Sequence, residues 1–109
     1  MKSEGLKMSK WADYGISRIR LDSDDNHIER VEICPNPSKK NDPINFFDVS
    51  RRTVILEFTK QITFVTITQE NGEWHRGANV HAVPVDGGVY IRTDRNKIAE
   101  DNLGNLPKF

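Results

Sequence analysis

Hydrophobic and polar positions alternate most clearly between Gln61 and Thr93. Three apolar runs stand there, Ile62–Thr68, Ala78–Val85 and Val89–Thr93, and they are separated by Asn71-Gly72 and by Asp86-Gly87-Gly88. The first run is almost wholly β-branched or aromatic, the residue types that fit a pleated, half-buried surface. It places Ile62 and Phe64 on one face and Thr63, Val65 and Ile67 on the other. Apolar groups on both faces predict a strand inside the sheet, covered on both sides. Asn-Gly tolerates positive φ at both central positions of a type I′ turn, so Asn71-Gly72 reverses the chain. Asp86-Gly87-Gly88 closes a second tight hairpin. Pro84 has no N–H for a ladder, which makes its strand an edge, a bulged strand or a short one.

Earlier in the chain the alternation is less regular. Tyr14–Leu21 reads as a strand in which Tyr14 and Ile16 share one face and Ile19 and Leu21 the opposite one, which implies a twist or bulge near Ser17. Ser23-Asp24-Asp25-Asn26 is a turn, and Ile28–Cys34 returns as a second strand. Pro35 to Pro43 is a polar loop with three prolines. Over Asp48–Gln61, Asp48 or Ser50 can cap a helix, and Val54, Ile55 and Phe58 then share one face. Arg51, Arg52, Glu57 and Lys60 fall on the remaining surface. Thr53–Leu56 is strand-like by propensity, but the spacing favours a helix of about ten residues. After Thr93, Ile98, Leu103 and Leu106 are isolated apolar anchors among turn formers, a tail that packs back on the sheet.

Residues 1–10 are polar and predict a disordered N-terminal tail; 11–109 predict a single α+β domain. The expected order is β-β-α-β-β-β. The sheet is expected to hold about five mostly antiparallel strands, barrel-like if it curls, ahead of an irregular C-terminal tail. The expected core is Ile16, Ile19, Val31, Val54, Ile55, Phe58, Phe64, Val65, Ile67, Val80, Val83, Val89, Ile91 and Leu103.

Charge changes this picture little. Sixteen Lys and Arg balance sixteen Asp and Glu, which speaks against a general electrostatic footprint for nucleic acid. One cysteine, Cys34, forms no internal disulfide, and the start of the chain lacks the apolar core of a signal peptide. No run approaches a membrane span, so an intracellular, cytoplasmic protein is expected.

Candidate chemistry is sparse. His27, His75, His81 and Cys34 lack the paired short spacing of a structural zinc site. Cys34 before Pro35 reads as a small buried residue rather than a nucleophile. Asp22, Asp24, Asp25 and Asn26 lack the glycine and the closing glutamate of a calcium loop. No cofactor is implied. The most suggestive grouping is aromatic and basic: Trp74-His75-Arg76 after the Asn-Gly turn, Tyr90 and Arg92 on the last strand, and Tyr14, Arg18 and Arg20 on the first. Aromatics beside arginines on a sheet can stack bases and hold phosphates. Arginine stems laid over packed rings are the plainer reading. An enzyme would draw on Asp94, Asp101, His81 or Arg92.

Trp11–Tyr14, Thr63–Ile67, Gly77–His81, Tyr90–Asp94 and the closing Asp101-Asn102-Leu103-Gly104-Asn105-Leu106-Pro107 together resemble the small bacterial and archaeal family known as domain of unknown function 3892. The closing heptapeptide is the most specific part. The resemblance carries over no activity, cofactor or site residue. It implies a more strongly helical segment at Arg51–Gln61 than this chain's own residues suggest. A non-catalytic protein-interaction module, meeting its partner at an edge strand near Pro84 or at the Pro35–Pro43 loop, is the favoured expectation. A nucleic-acid-binding module is the alternative, and a small enzyme or ligand-binding domain the second.

Overall fold

In the computed structural model, residues 10–23, 27–38 and 45–109 are described. Residues 1–9 of the expected N-terminal tail, residues 24–26 of the expected Ser23–Asn26 turn and most of the Pro35–Pro43 loop lie outside those residues.

The described chain runs β1 (Tyr14–Leu21), β2 (Ile28–Pro35), β3 (Phe47–Ser50), α1 (Arg51–Thr59), β4 (Phe64–Glu70), β5 (Glu73–Asn79), β6 (His81–Val85) and β7 (Gly88–Arg92). Five strands form one sheet in the order β3-β2-β1-β4-β5, and β6 and β7 form a two-stranded sheet of their own. The expected set of about five strands in one sheet is therefore corrected to seven in two.

The mostly antiparallel expectation is corrected at the centre, where β1 and β4 run parallel through Tyr14–Ile16 and Phe64–Thr66. A clamp fixes this pairing. The Asp13 carboxylate accepts from the Thr63 N–H at 2.9 Å and from its hydroxyl at 3.1 Å. The Asp13 N–H in turn donates to the Thr63 hydroxyl at 3.0 Å.

Both predicted turns form. Asn71 and Gly72 have φ of 53° and 80°, Asp86 and Gly87 46° and 85°, all in the left-handed region that these residue types tolerate.

Two bulges resolve the irregular alternation of the first hairpin. Ser17 is an extra residue in β1, between the Ile16↔Ile33 and Arg18↔Glu32 pairs; Glu29 is an extra residue in β2. Each bulge flips the side-chain parity. Tyr14, Ile16, Ile19 and Leu21 thus face one core, together with Ile28, Val31 and Ile33, instead of dividing between faces.

β4 is an interior strand with both faces covered. Phe64 joins Ile16, Val31, Val54, Ile91, Leu103 and Leu106 on one side, while Val65 and Ile67 join Ala12 and Cys34 on the other. Phe46, beside edge strand β3, and Trp74, on edge strand β5, bring their rings to 5.5 Å. The sheet therefore curls, but no ladder joins β3 to β5 and the barrel does not close.

Ser50 ends β3 and caps α1, its hydroxyl accepting from the Thr53 N–H at 3.2 Å. Val54 is buried, and Ile55 and Phe58 pack on the same core. β3 escapes sequence reading because its four residues, Phe-Asp-Val-Ser, double as the lead into that cap.

The run Ala78–Val85 does not stay one strand. Val80 is a buried corner whose N–H donates to the Phe64 carbonyl at 2.9 Å, and the chain leaves the large sheet there for the small one. Val89 is only half-buried, and Ile98, one of the expected anchors, is 47 % exposed. Leu103 and Leu106 do anchor the tail. Beyond Ile16, where β4 diverges, the tail takes over the free edge of β1. The Ile19 N–H donates to the Pro107 carbonyl and the Phe109 N–H to the Ile19 carbonyl, both at 2.9 Å.

Candidate functional site

The aromatic and basic residues singled out in the sequence lie in separate places. Arg18 is opposite Glu32 and forms a two-point ion pair with it, at 2.9 and 2.6 Å. Arg20 lies 4.8 Å from the Phe109 ring centre, and Arg18 lies 5.2 Å from it. Trp74 packs beside the Cys34–Val65–Ile67 cluster, and His75 is exposed. Tyr90 lies under the Arg51 guanidinium at 5.6 Å. Arg92 is buried, its guanidinium held by Asp94 at 2.8 and 3.2 Å and by the Glu100 carbonyl at 2.7 Å. Of these residues, Arg76 and His81 meet in one concave site.

That site is a cleft of about 560 Å³ at the end of the sheet where β4 begins and β5 stops. Its polar lining is Gln61, Thr63, Arg76, Asn79, His81 and Arg95, against walls that include Trp11, Phe58 and Phe64. A bulge builds it. Val65 pairs with Asn79 and Ile67 with Arg76, so one residue of β4, Thr66, faces two of β5, Gly77 and Ala78. The extra residue puts Arg76 and Asn79 on the same face although they are three apart. The Arg76 guanidinium donates to the Asn79 side-chain oxygen at 2.6 Å. Gly77 makes the bulge possible, since a Cβ there would lie 2.2 Å from Thr66 Oγ1 and 2.9 Å from the Thr66 carbonyl oxygen. The Thr66 hydroxyl is committed as well, accepting from the Ala78 N–H at 2.9 Å. Sequence reading missed Arg95, which sits among turn formers without any periodic signal.

The electrostatics of the cleft are one-sided. Among the described residues no carboxylate lines it. Desolvation and the nearby Arg95 charge lower the His81 pKa below its ordinary 6.5, and Asp94 offsets this in part. A neutral imidazole in the fold and a titrating one in the unfolded chain set the sign of the linkage. Stability from this group is complete above about pH 6.5 and is lost as pH falls below it. Unfolding in urea between pH 7.5 and 5 is expected to show that decline, and His81→Gln to flatten it. An unchanged slope in His81→Gln would assign the decline to other groups.

Five candidate carboxylates are already engaged. Asp13 is held below the usual carboxylate range first by Lys10 and then by Thr63, Glu32 by Arg18, Asp48 by Arg30 and Asp94 by Arg92. The Asp101 side chain is 1 % exposed and accepts from Arg51 at 2.7 and 3.0 Å, from the Ile91 N–H at 3.0 Å and from the Ile28 N–H at 3.3 Å. Cys34 is buried, and burial pushes its thiol up to about 11, far from a reactive thiolate. Among the described residues no three His, Cys, Asp or Glu side chains gather as metal ligands.

A second concavity runs between β3 and α1. This groove of about 170 Å³ is lined by Tyr14, Ile33, Phe47, Val49, Thr53, Val54, Glu57 and Phe64. Among the described residues no strand pairs with the outer edge of β3. Phe47 on that edge is 46 % exposed, Phe46 before it 37 %, and Leu56, one turn beyond Thr53 on α1, 50 %.

Together the fold and these sites define a class: an α+β domain on a curled, unclosed mixed sheet, with concave surfaces beside it and, among the described residues, its buried polar side chains committed to holding the fold. Within that class the chain belongs to the family described as Protein of unknown function (DUF3892), whose model matches residues 15–107. No curated protein and no solved structure matches the chain. Among the described residues no helix is long and apolar enough to cross a membrane.

Proposed function

We propose that this domain is a non-catalytic, cytoplasmic protein-interaction module that accepts an extended segment of a partner polypeptide along β3. The observation that carries the reading is the coincidence of a strand edge that is unpaired among the described residues with an apolar groove at its side. Main-chain hydrogen bonds to an edge strand supply affinity, and a neighbouring pocket that takes alternate side chains supplies specificity. Among the described residues, exposed Phe46, Phe47 and Leu56 are three of the four large apolar side chains most open to water, and all three belong to β3, its lead-in or α1. Unlike the expected contact at Pro84, this surface offers a groove as well as an edge. The nucleic-acid alternative draws less support, because Arg18 and Arg92 are each committed to a carboxylate.

The reading is tested by selecting a random peptide library against the domain and mapping the winners by amide shifts. Enriched peptides are expected to alternate apolar and polar residues and to perturb Phe47–Ser50 and Thr53–Glu57. Phe47→Asp, at an exposed position, is expected to weaken them by about tenfold, the equivalent of one buried aromatic contact. Peptides that bind the Phe47→Asp variant equally well, or a selection that yields none, would refute the proposal.

A further inference from the structure

Strand addition at β3 leaves the large cleft at the β4–β5 end without a role. Its volume of about 560 Å³ falls within the roughly 300–1,000 Å³ typical of small-molecule sites. Its walls combine Trp11 and Phe58 with a polar set in which all the charge is positive, from Arg76 and Arg95. Two acids that adjoin cleft-lining residues in the chain are already engaged: Asp13 with Lys10 and Thr63, and Asp94 with Arg92 and the Asn96 N–H. Among the described residues no carboxylate lines the cleft beside these arginines.

We infer that the cleft binds a small molecule bearing a phosphate or carboxylate group, gripped by the guanidiniums of Arg76 and Arg95 with His81, Gln61 and Asn79 completing the donor set. A guanidinium presents five N–H donors in a rigid fork that matches an oxyanion. Among the described residues Arg76 engages one guanidinium nitrogen, on Asn79, which leaves the other two for a ligand. Asn79 thereby holds the fork in place before anything binds, which lowers the ordering cost of binding. Trp11 and Phe58 supply an apolar wall for the body of the molecule. This site lies apart from the β3 groove, apart from a shared wall at Phe64, and stands or falls independently of the strand-addition reading.

The site also predicts its own reporter. Arg95 disfavours protonation of His81 and Asp94 favours it, and Arg76 is the further charge lining the cleft. An oxyanion seated between the arginines offsets their field and favours the imidazolium. The test titrates isotope-labelled full-length protein with sodium phosphate and, separately, with sodium acetate, at constant low ionic strength held by chloride. Saturable shifts are expected at Gln61, Arg76, His81 and Arg95, with the His81 ring titrating at higher pH than in chloride alone. Arg76→Gln/Arg95→Gln, at two exposed positions, is expected to abolish saturation, each lost guanidinium weakening binding by about tenfold. The tighter of the two anions names the ligand group, and either preference supports the site. Silence up to tens of millimolar, or equal shifts in the double variant, would overturn it.

Discussion

Asp101→Ala is expected to lower the folding free energy by about 3–5 kcal/mol, the cost typical of breaking a buried charge pair. For a chain of this size that corresponds to a fall in melting midpoint of upward of about 12 °C. The Asp101 carboxylate is the meeting point of three distant segments: α1 through Arg51, β2 through the Ile28 N–H, and β7 through the Ile91 N–H. Alanine leaves both backbone donors without that acceptor in a buried setting, each a penalty of about 1–3 kcal/mol. It also removes the carboxylate partner of the Arg51 guanidinium, which lies over Tyr90 and keeps its bond to the Val89 carbonyl at 2.6 Å. Arg51 is 27 % exposed and keeps some access to water, which places the expectation at the lower end of the range. Asp48→Ala is the control. Its pair with Arg30 is exposed on both sides, and a much smaller loss than for Asp101→Ala is expected. Urea unfolding followed by circular dichroism measures both, and equal costs for the two variants would refute the hub.

Gly77→Ala is expected to cost about 1–3 kcal/mol, the usual range for forcing atoms into a filled space. It should also disturb the cleft. The added Cβ meets Thr66 Oγ1 at 2.2 Å, and rotating that hydroxyl away breaks its bond from the Ala78 N–H. The Thr66 carbonyl oxygen, at 2.9 Å, is backbone and yields less readily. A double-mutant cycle with Thr66→Ala separates the two contacts. Partial relief in the double variant is expected, because the hydroxyl clash vanishes and the carbonyl clash remains. Shifts in Gly77→Ala are expected to reach Arg76 and Asn79, whose shared face depends on the bulge. Full additivity in the cycle, with those amides unmoved, would rule out the bulge as the device that builds the cleft.

Local features of the fold were legible because local physics decides them. Asn71-Gly72 and Asp86-Gly87 adopt the turns their residue types favour, Ser50 caps the helix, and the irregular spacing around Ser17 marks a bulge. What stayed hidden depends on partners far along the chain. The parallel pairing of β1 with β4 is fixed by Asp13 and Thr63, fifty residues apart. Arg51 is instructive, since it precedes Val54, Ile55 and Phe58 by three, four and seven positions. That spacing places it on the apolar face of α1 rather than on the surface expected for it, and a charge there signals a buried partner. The partner, Asp101, heads the heptapeptide that most specifically carries the family resemblance. The motif is thereby explained as structure: Asp101 ties three segments, Leu103 and Leu106 fill the core, and the Pro107 carbonyl caps the edge of β1. Of the candidate site, Arg76 and His81 were visible, whereas Arg95 carried no signal until the fold placed it.

The attachment of residues 101–109 to β1, β2, β7 and α1 also governs how this protein emerges from the ribosome. Arg51 leaves the exit tunnel fifty residues ahead of the aspartate that neutralises it, an interval of about 3–10 s at roughly 5–20 residues per second. Through that interval the upper edge of β1 lacks its pairing partner, and Ile16, Ile19 and Ile28 lack the cover of Leu103 and Leu106. A nascent chain halted short of Asp101 is thus an unfinished sheet with an open edge, the form in which this protein most needs a chaperone's protection.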